Sequence, residues 1–164
     1  MRQFPTIIIL IFWTITFCLA QTETSFVTVD HYKTKKFDVA IFPANYIDLI
    51  SGQRFTPTRE DVEKAEVSLR LNLEKLNQPL VNQTPKTIIH KRLNKYKRQY
   101  FGYVDSSGQR ILLINCFWER RQNQFSINWL TERINVLDGG SYYWQVKFNI
   151  DKDELFDLQI NGHG

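Results

Sequence analysis

The chain is poor in cysteine. Of its 164 residues only Cys18 and Cys116 carry thiols, and Cys18 falls in an apolar leader. Removal of that leader leaves Cys116 alone. An internal disulfide is then excluded, and packing must stabilise the domain. Glycine (7) and proline (5) are sparse and no low-complexity tract occurs, which excludes collagen-like, linker-like and disordered classes. The three histidines, His31, His90 and His163, are scattered. No ligand spacing of a metal site stands out, so neither a metal nor a cofactor is expected. Beyond the leader no apolar run is long enough to span a bilayer, so no stable membrane span is expected after cleavage. The formal net charge is only +4, too weak to imply a nucleic-acid partner, and none is expected.

What is present begins with residues 1–20. Arg2 precedes an unbroken apolar run that ends at Cys18-Leu19-Ala20, after which Gln21-Thr22-Glu23-Thr24 turns abruptly polar. This is the three-part layout of a cleavable signal peptide, and it predicts an exported protein, periplasmic or secreted. The mature chain from Gln21 suits one domain. Residues 21–55 read as an N-terminal arm or edge strands, with short strands at Phe26–Val29 and Phe37–Phe42. Residues 56–164 read as a helix-plus-sheet domain.

The clearest element is a helix after Pro57. Thr56 is the expected cap, with Pro57 at the first helical position. Val62, Ala65, Leu69, Leu73 and Leu76 recur every three or four residues on one stripe, and Val67 and Leu71 widen it. The helix is expected to stop near Asn77. A second, shorter helix is expected from Thr87 to about Lys97. Strand texture follows: Tyr100–Val104, a turn at Asp105–Gly108, the unalternating apolar run Arg110–Trp118, an ambiguous Phe125–Val136, a tight turn at Asp138-Gly139-Gly140, and two alternating strands up to Ile160. The fold class is α+β, with one helix, or two, packed on a curved antiparallel β-meander of about four strands. Gly102 inside the first meander strand marks a bulge or bend.

This order resembles the cystatin-like, or helix-grip, arrangement. The runs Tyr96-Lys97-Arg98-Gln99-Tyr100-Phe101-Gly102-Tyr103, Asn115-Cys116-Phe117, Asp138-Gly139-Gly140-Ser141-Tyr142-Tyr143-Trp144 and Asn161-Gly162 resemble those of small exported bacterial proteins, over residues 55–162. The Gln-Val-Val-Ala-Gly hairpin and Pro-Trp pair of cystatins are absent. The resemblance therefore implies a fold and carries no cysteine-protease inhibition.

Catalytic residues do not stand out. Cys116 sits in the most apolar segment and reads as an inert core thiol. Asp151, Asp153 and Glu154 read as a solvated turn, Ser106 and Ser107 lie in another turn, and no Gly-x-Ser-x-Gly elbow occurs. Two surfaces remain as binding candidates. Tyr143, Gln145, Lys147 and Asn149 share one face of a period-two strand, opposite Trp144, and mix an aromatic with donors and acceptors. Lys86, Lys91, Arg92, Lys95, Lys97 and Arg98 form a basic stretch without an acid, which suits an anionic polymer or lipid surface if it is more than a solvated helix face. The expectation is an exported non-enzymatic module that contacts a peptide, protein or glycan through an open sheet face or edge. The alternatives are a small hydrolase-type enzyme on the same fold and a structural accessory protein of the cell envelope.

Overall fold

The computed structural model describes residues 27–46, 50, 52–118 and 128–162. The leader, Phe26, the polar stretch after Trp118, the start of the Phe125–Val136 segment and His163 lie outside the described residues. Among the described residues the chain is α+β: one α-helix, α1 (Arg59–Leu76), packs on a seven-stranded sheet that is not closed into a barrel. The strands are β1 (Asp30–Lys33), β2 (Asp38–Phe42), β3 (Arg54–Phe55), β4 (Tyr96–Val104), β5 (Arg110–Trp118), β6 (Tyr143–Asn149) and β7 (Glu154–Ile160). They lie in the order β1-β2-β4-β5-β6-β7, with β3 beside the far end of β4. The strand count thus exceeds the four of the expected meander.

The sheet is mixed, because β2 runs parallel to β4 (Val39 opposite Arg98, Phe42 opposite Phe101). A parallel neighbour needs a long crossover, and α1 lies within it. β4 to β7 form the antiparallel part, with full register from Tyr96 opposite Trp118 to Val104 opposite Arg110. Gly102 is where β3 crosses closest. A Cβ there would lie 2.6 Å from the Phe55 carbonyl oxygen and 2.7 Å from its ring. The glycine thus marks close backbone approach.

α1 starts two residues later than Thr56 suggested. Thr58 is the cap: its hydroxyl accepts the Asp61 N–H, and the Asp61 carboxylate accepts the Thr58 N–H. This reciprocal pair satisfies two donors that a helix start leaves open. The helix ends at Asn77, as its pattern predicted. Val62, Ala65, Leu69 and Leu73 are fully buried, whereas Val67 and Leu71 face outward. The apolar stripe is therefore narrow. It packs on Val39, Ile41, Tyr100, Ile114, Trp144, Val146 and Phe148.

The expected second helix is replaced by two 3-10 turns, Ile89–Lys91 and Leu93–Lys95, and β4 then starts at Tyr96. Tyr96, Arg98 and Tyr100 are buried in alternation on the helix side of the sheet, a strand period that overrides the helical spacing read from sequence. The Phe125–Val136 segment is ambiguous in sequence, with a strand pair as one reading. From Asn128 on it is an irregular strap over the opposite face. Gln99, fully buried, holds it. Its amide donates to the carbonyls of Trp129 (2.8 Å) and Glu132 (2.7 Å), and its oxygen accepts the Ile134 N–H (2.8 Å). Asn115 donates to the Ile134 carbonyl at 2.8 Å. A second core forms beneath the strap from Ala40, Phe42, Phe101, Leu113, Phe117 and Trp129.

Candidate functional site

The strap divides the sheet's outer face. It covers β2, β4 and β5, and leaves the β6–β7 part half-exposed. That part presents Tyr143, Gln145 and Lys147 from β6, with Phe156, Asp157 and Gln159 from β7.

A β-bulge builds this patch. β7 alternates as Phe156, Leu158 and Ile160 in sequence, yet Asp157 has φ +51° and shifts the register opposite Val146. Leu155 thereby packs with Leu158 and Ile160 against α1, while Phe156 moves opposite Lys147. The extra residue also brings the Asp157 carboxylate to 2.7 Å from Lys147 Nζ. That contact holds the Asp157 carboxyl below its ordinary range and raises the Lys147 ammonium. Gln145 donates to Gln159 at 2.7 Å and accepts from Arg133 at 3.2 Å. The patch is thus held in place by its own polar contacts.

Tyr143 is positioned by the Gly-Gly turn. Gly139 has φ +93°, and a Cβ on it would press within 2.8 Å of the Tyr143 ring. The turn is fastened to the end of β7: Gly140 N–H donates to the Gly162 carbonyl at 2.8 Å, and Asn161 N–H to the Tyr143 carbonyl at 3.1 Å. Two runs that looked separate in sequence, Asp138–Gly140 and Asn161-Gly162, form one clasp. Asn149 does not join the patch. It is 5 % exposed, and its oxygen accepts the N–H groups of Asp151 and Lys152 at 3.0 Å, which places it in the β6–β7 turn.

The basic stretch is also split. Lys86, Lys91, Arg92 and Lys95 are exposed. Lys97 lies with its ammonium 4.7 Å from the Trp129 ring. Arg98 points inward and is 1 % exposed, 3.3 Å from the buried Glu66 carboxylate. Tyr100 donates to the same carboxylate at 2.8 Å. Burial alone would lower the Arg98 pKa; Glu66 raises it and prevails.

Cys116 is fully buried beside this pair, and burial pushes its thiol well above the ordinary range. A thiolate is therefore disfavoured there. His31 bonds Asp38 at 2.7 Å at the sheet edge, and His90 lies 3.6 Å from Glu74. Among the described residues no group of three or more His, Cys, Asp or Glu converges as a metal site would, and no helix is long and apolar enough to cross a membrane.

The sequence placed Tyr143, Gln145 and Lys147 on a common face correctly. It missed Phe156, Asp157 and Gln159, because a bulge leaves no mark in the alternation of β7. Comparison with protein-family models, curated proteins and solved structures gives no match.

Proposed function

We propose that this chain is an exported, non-enzymatic binding module, and that the β6–β7 patch contacts its peptide, protein or glycan partner. Export rests on the leader pattern of residues 1–20. The observation that carries the binding reading is the half-exposed patch of Tyr143, Gln145, Lys147 and Phe156, locked by the Lys147–Asp157 and Gln145–Gln159 contacts. Aromatic rings beside prearranged donors and acceptors bind at low ordering cost. The helix-grip likeness belongs to the same reading, since a sheet that grips a helix with one face leaves the part of the other face beyond the strap, on β6 and β7, for ligands.

The test is a peptide and glycan array probed with the parent protein and with Tyr143→Ala/Phe156→Ala. Ligands retained by the parent and lost by a double variant that still unfolds in one cooperative transition above the assay temperature support the patch. Ligands bound equally by both remove it. The hydrolase alternative draws on one observation, the His31–Asp38 pair. It would be favoured if His31→Ala abolished hydrolysis of a chromogenic ester that the parent turns over.

A further inference from the structure

A separate surface lies at the opposite edge of the sheet. The β1–β2 hairpin turns at Thr34–Phe37, with the Thr34 hydroxyl accepting the N–H groups of Lys36 and Phe37. Parallel pairing of β2 with β4 sets this hairpin end beside Asn94–Lys97, about sixty residues later in the chain. Between them is a cavity of about 220 Å³. Five lysines line it: Lys33, Lys35, Lys36, Lys95 and Lys97. The one acid in the lining is Asp38, and it is already engaged by His31 (2.7 Å) and Lys33 (3.2 Å). Across the Lys35–Lys36 tip a second cavity of about 380 Å³ continues toward α1, where Arg70 adds another cation. Its acid, Glu63, accepts the Tyr32 hydroxyl.

Gathering like charges from two distant segments costs self-repulsion, and a bound anion removes it. We propose that this hairpin end is a binding site for a linear anionic polysaccharide, carboxylated or sulfated, laid across the Lys35–Lys36 tip from the Lys95–Lys97 side toward Arg70. Several features select this ligand over other polyanions. Lysine heads are point charges and do not demand the bidentate geometry of an arginine fork. The Thr34 hydroxyl and the Asn94 amide line the same cavity and suit sugar hydroxyls. Bases would need an exposed stacking ring. Phe37 and Tyr96 are buried instead, and the Tyr32 ring carries the Arg59 guanidinium 4.7 Å from its centre. A lipid surface would call for an apolar wedge beside the charges, and of the residues lining both cavities only Val67 is an exposed large apolar side chain.

The site stands apart from the β6–β7 patch, and the two fail separately. The experiment is titration calorimetry of the purified protein with a heparin-derived octasaccharide at about 0.15 M salt. A thymidine oligonucleotide of equal charge and anionic phospholipid vesicles are run in parallel. Lys35→Gln/Lys36→Gln/Lys95→Gln is compared with Lys64→Gln/Lys75→Gln/Lys152→Gln. The second set removes the same charge from exposed lysines outside both cavities. The site predicts saturable octasaccharide binding, weakened at least about tenfold by the first set and less than about twofold by the second. Lys36→Gln alone, at the tip, should weaken it about threefold, and it serves as the readout if the triple variant folds poorly. Equal losses in both sets mean diffuse charge attraction and overturn the site. So does an absence of octasaccharide binding. Equal or tighter binding of the oligonucleotide or the vesicles overturns the polysaccharide assignment.

Discussion

Adjacent residues on β6 divide the labour between folding and contact. Trp144 is 1 % exposed and meets Tyr96 edge-on, with ring centres 5.5 Å apart. Tyr143 is half-buried on the other side, its ring over Gly139. Trp144→Ala should cost about 3–5 kcal/mol, because the surrounding helix and strands cannot collapse into the void. Tyr143→Ala should cost about 1–2 kcal/mol, since its ring is only partly buried at the rim of the second core. Urea denaturation of both variants measures the difference. Equal large losses would show that Tyr143 is as much a core residue as Trp144, and the β6–β7 patch would lose its anchor. Strand periodicity made this division legible in sequence. The burial of Arg98 was not legible: nothing in a run of basic residues announces that one of them meets a buried carboxylate from a helix thirty residues earlier.

At the scale of elements, close approach matters more than propensity. β3 is two residues long and sits on β4 only because Gly102 has no side chain. Gly102→Ala should push Phe55 away from the strand and cost about 1–3 kcal/mol, as overpacking does. Thermal melts report the loss, and a Gly102→Ala protein as stable as the parent would mean that β3 is held by something else. Thr58 shows the same economy at the start of α1. The sequence pattern points to Thr56 as the cap, but Thr58 takes the role because Asp61 stands three residues on to complete the reciprocal bond. The second expected helix fails for a reason of its own. The stripe Ile89, Leu93, Tyr96, Tyr100 satisfies a helical period, but Tyr96, Arg98 and Tyr100 satisfy a strand period as well. Pairing with β5 over nine residues decides between them.

Across the whole molecule, the interior between α1 and the sheet carries one ion pair, Glu66 and Arg98, with the neutral Tyr100 hydroxyl and Cys116 thiol alongside. Burial, reinforced by Glu66, raises the Tyr100 hydroxyl well above its ordinary 10.0, and burial raises the Cys116 thiol above 9.0. Arg98 pulls the other way on both and does not prevail. A group whose folded pKa is raised contributes stability that is complete below its unfolded value and is lost as pH rises beyond it. The melting temperature should therefore hold from pH 7 to about 9 and fall steadily above, as the unfolded chain gives up protons that the folded one retains. Calorimetric scans in steps of pH test this, and a melting temperature constant to about pH 11 would mean that these groups ionise without penalty in the fold. Removing one member of the buried pair alone strands the other, which is why Arg98 reads as architecture and the exposed lysines as surface.

Local chemistry was sufficient for α1, for the extent of β5, for the turns at Asp105–Gly108 and Asp138–Gly140, and for the separation of Tyr143 from Trp144. Each depends on periods of two or about four residues, or on a side chain bonding its own backbone, and such signals are complete within a short window. Tertiary structure alone decided the parallel pairing of β2 with β4, the strap bound by Gln99 and Asn115, and the bulge at Asp157. It also decided the meeting of the Lys33–Lys36 and Lys95–Lys97 lysines. These depend on which distant backbone satisfies a buried amide or an open strand edge, and that competition is settled only when the chain is folded as a whole.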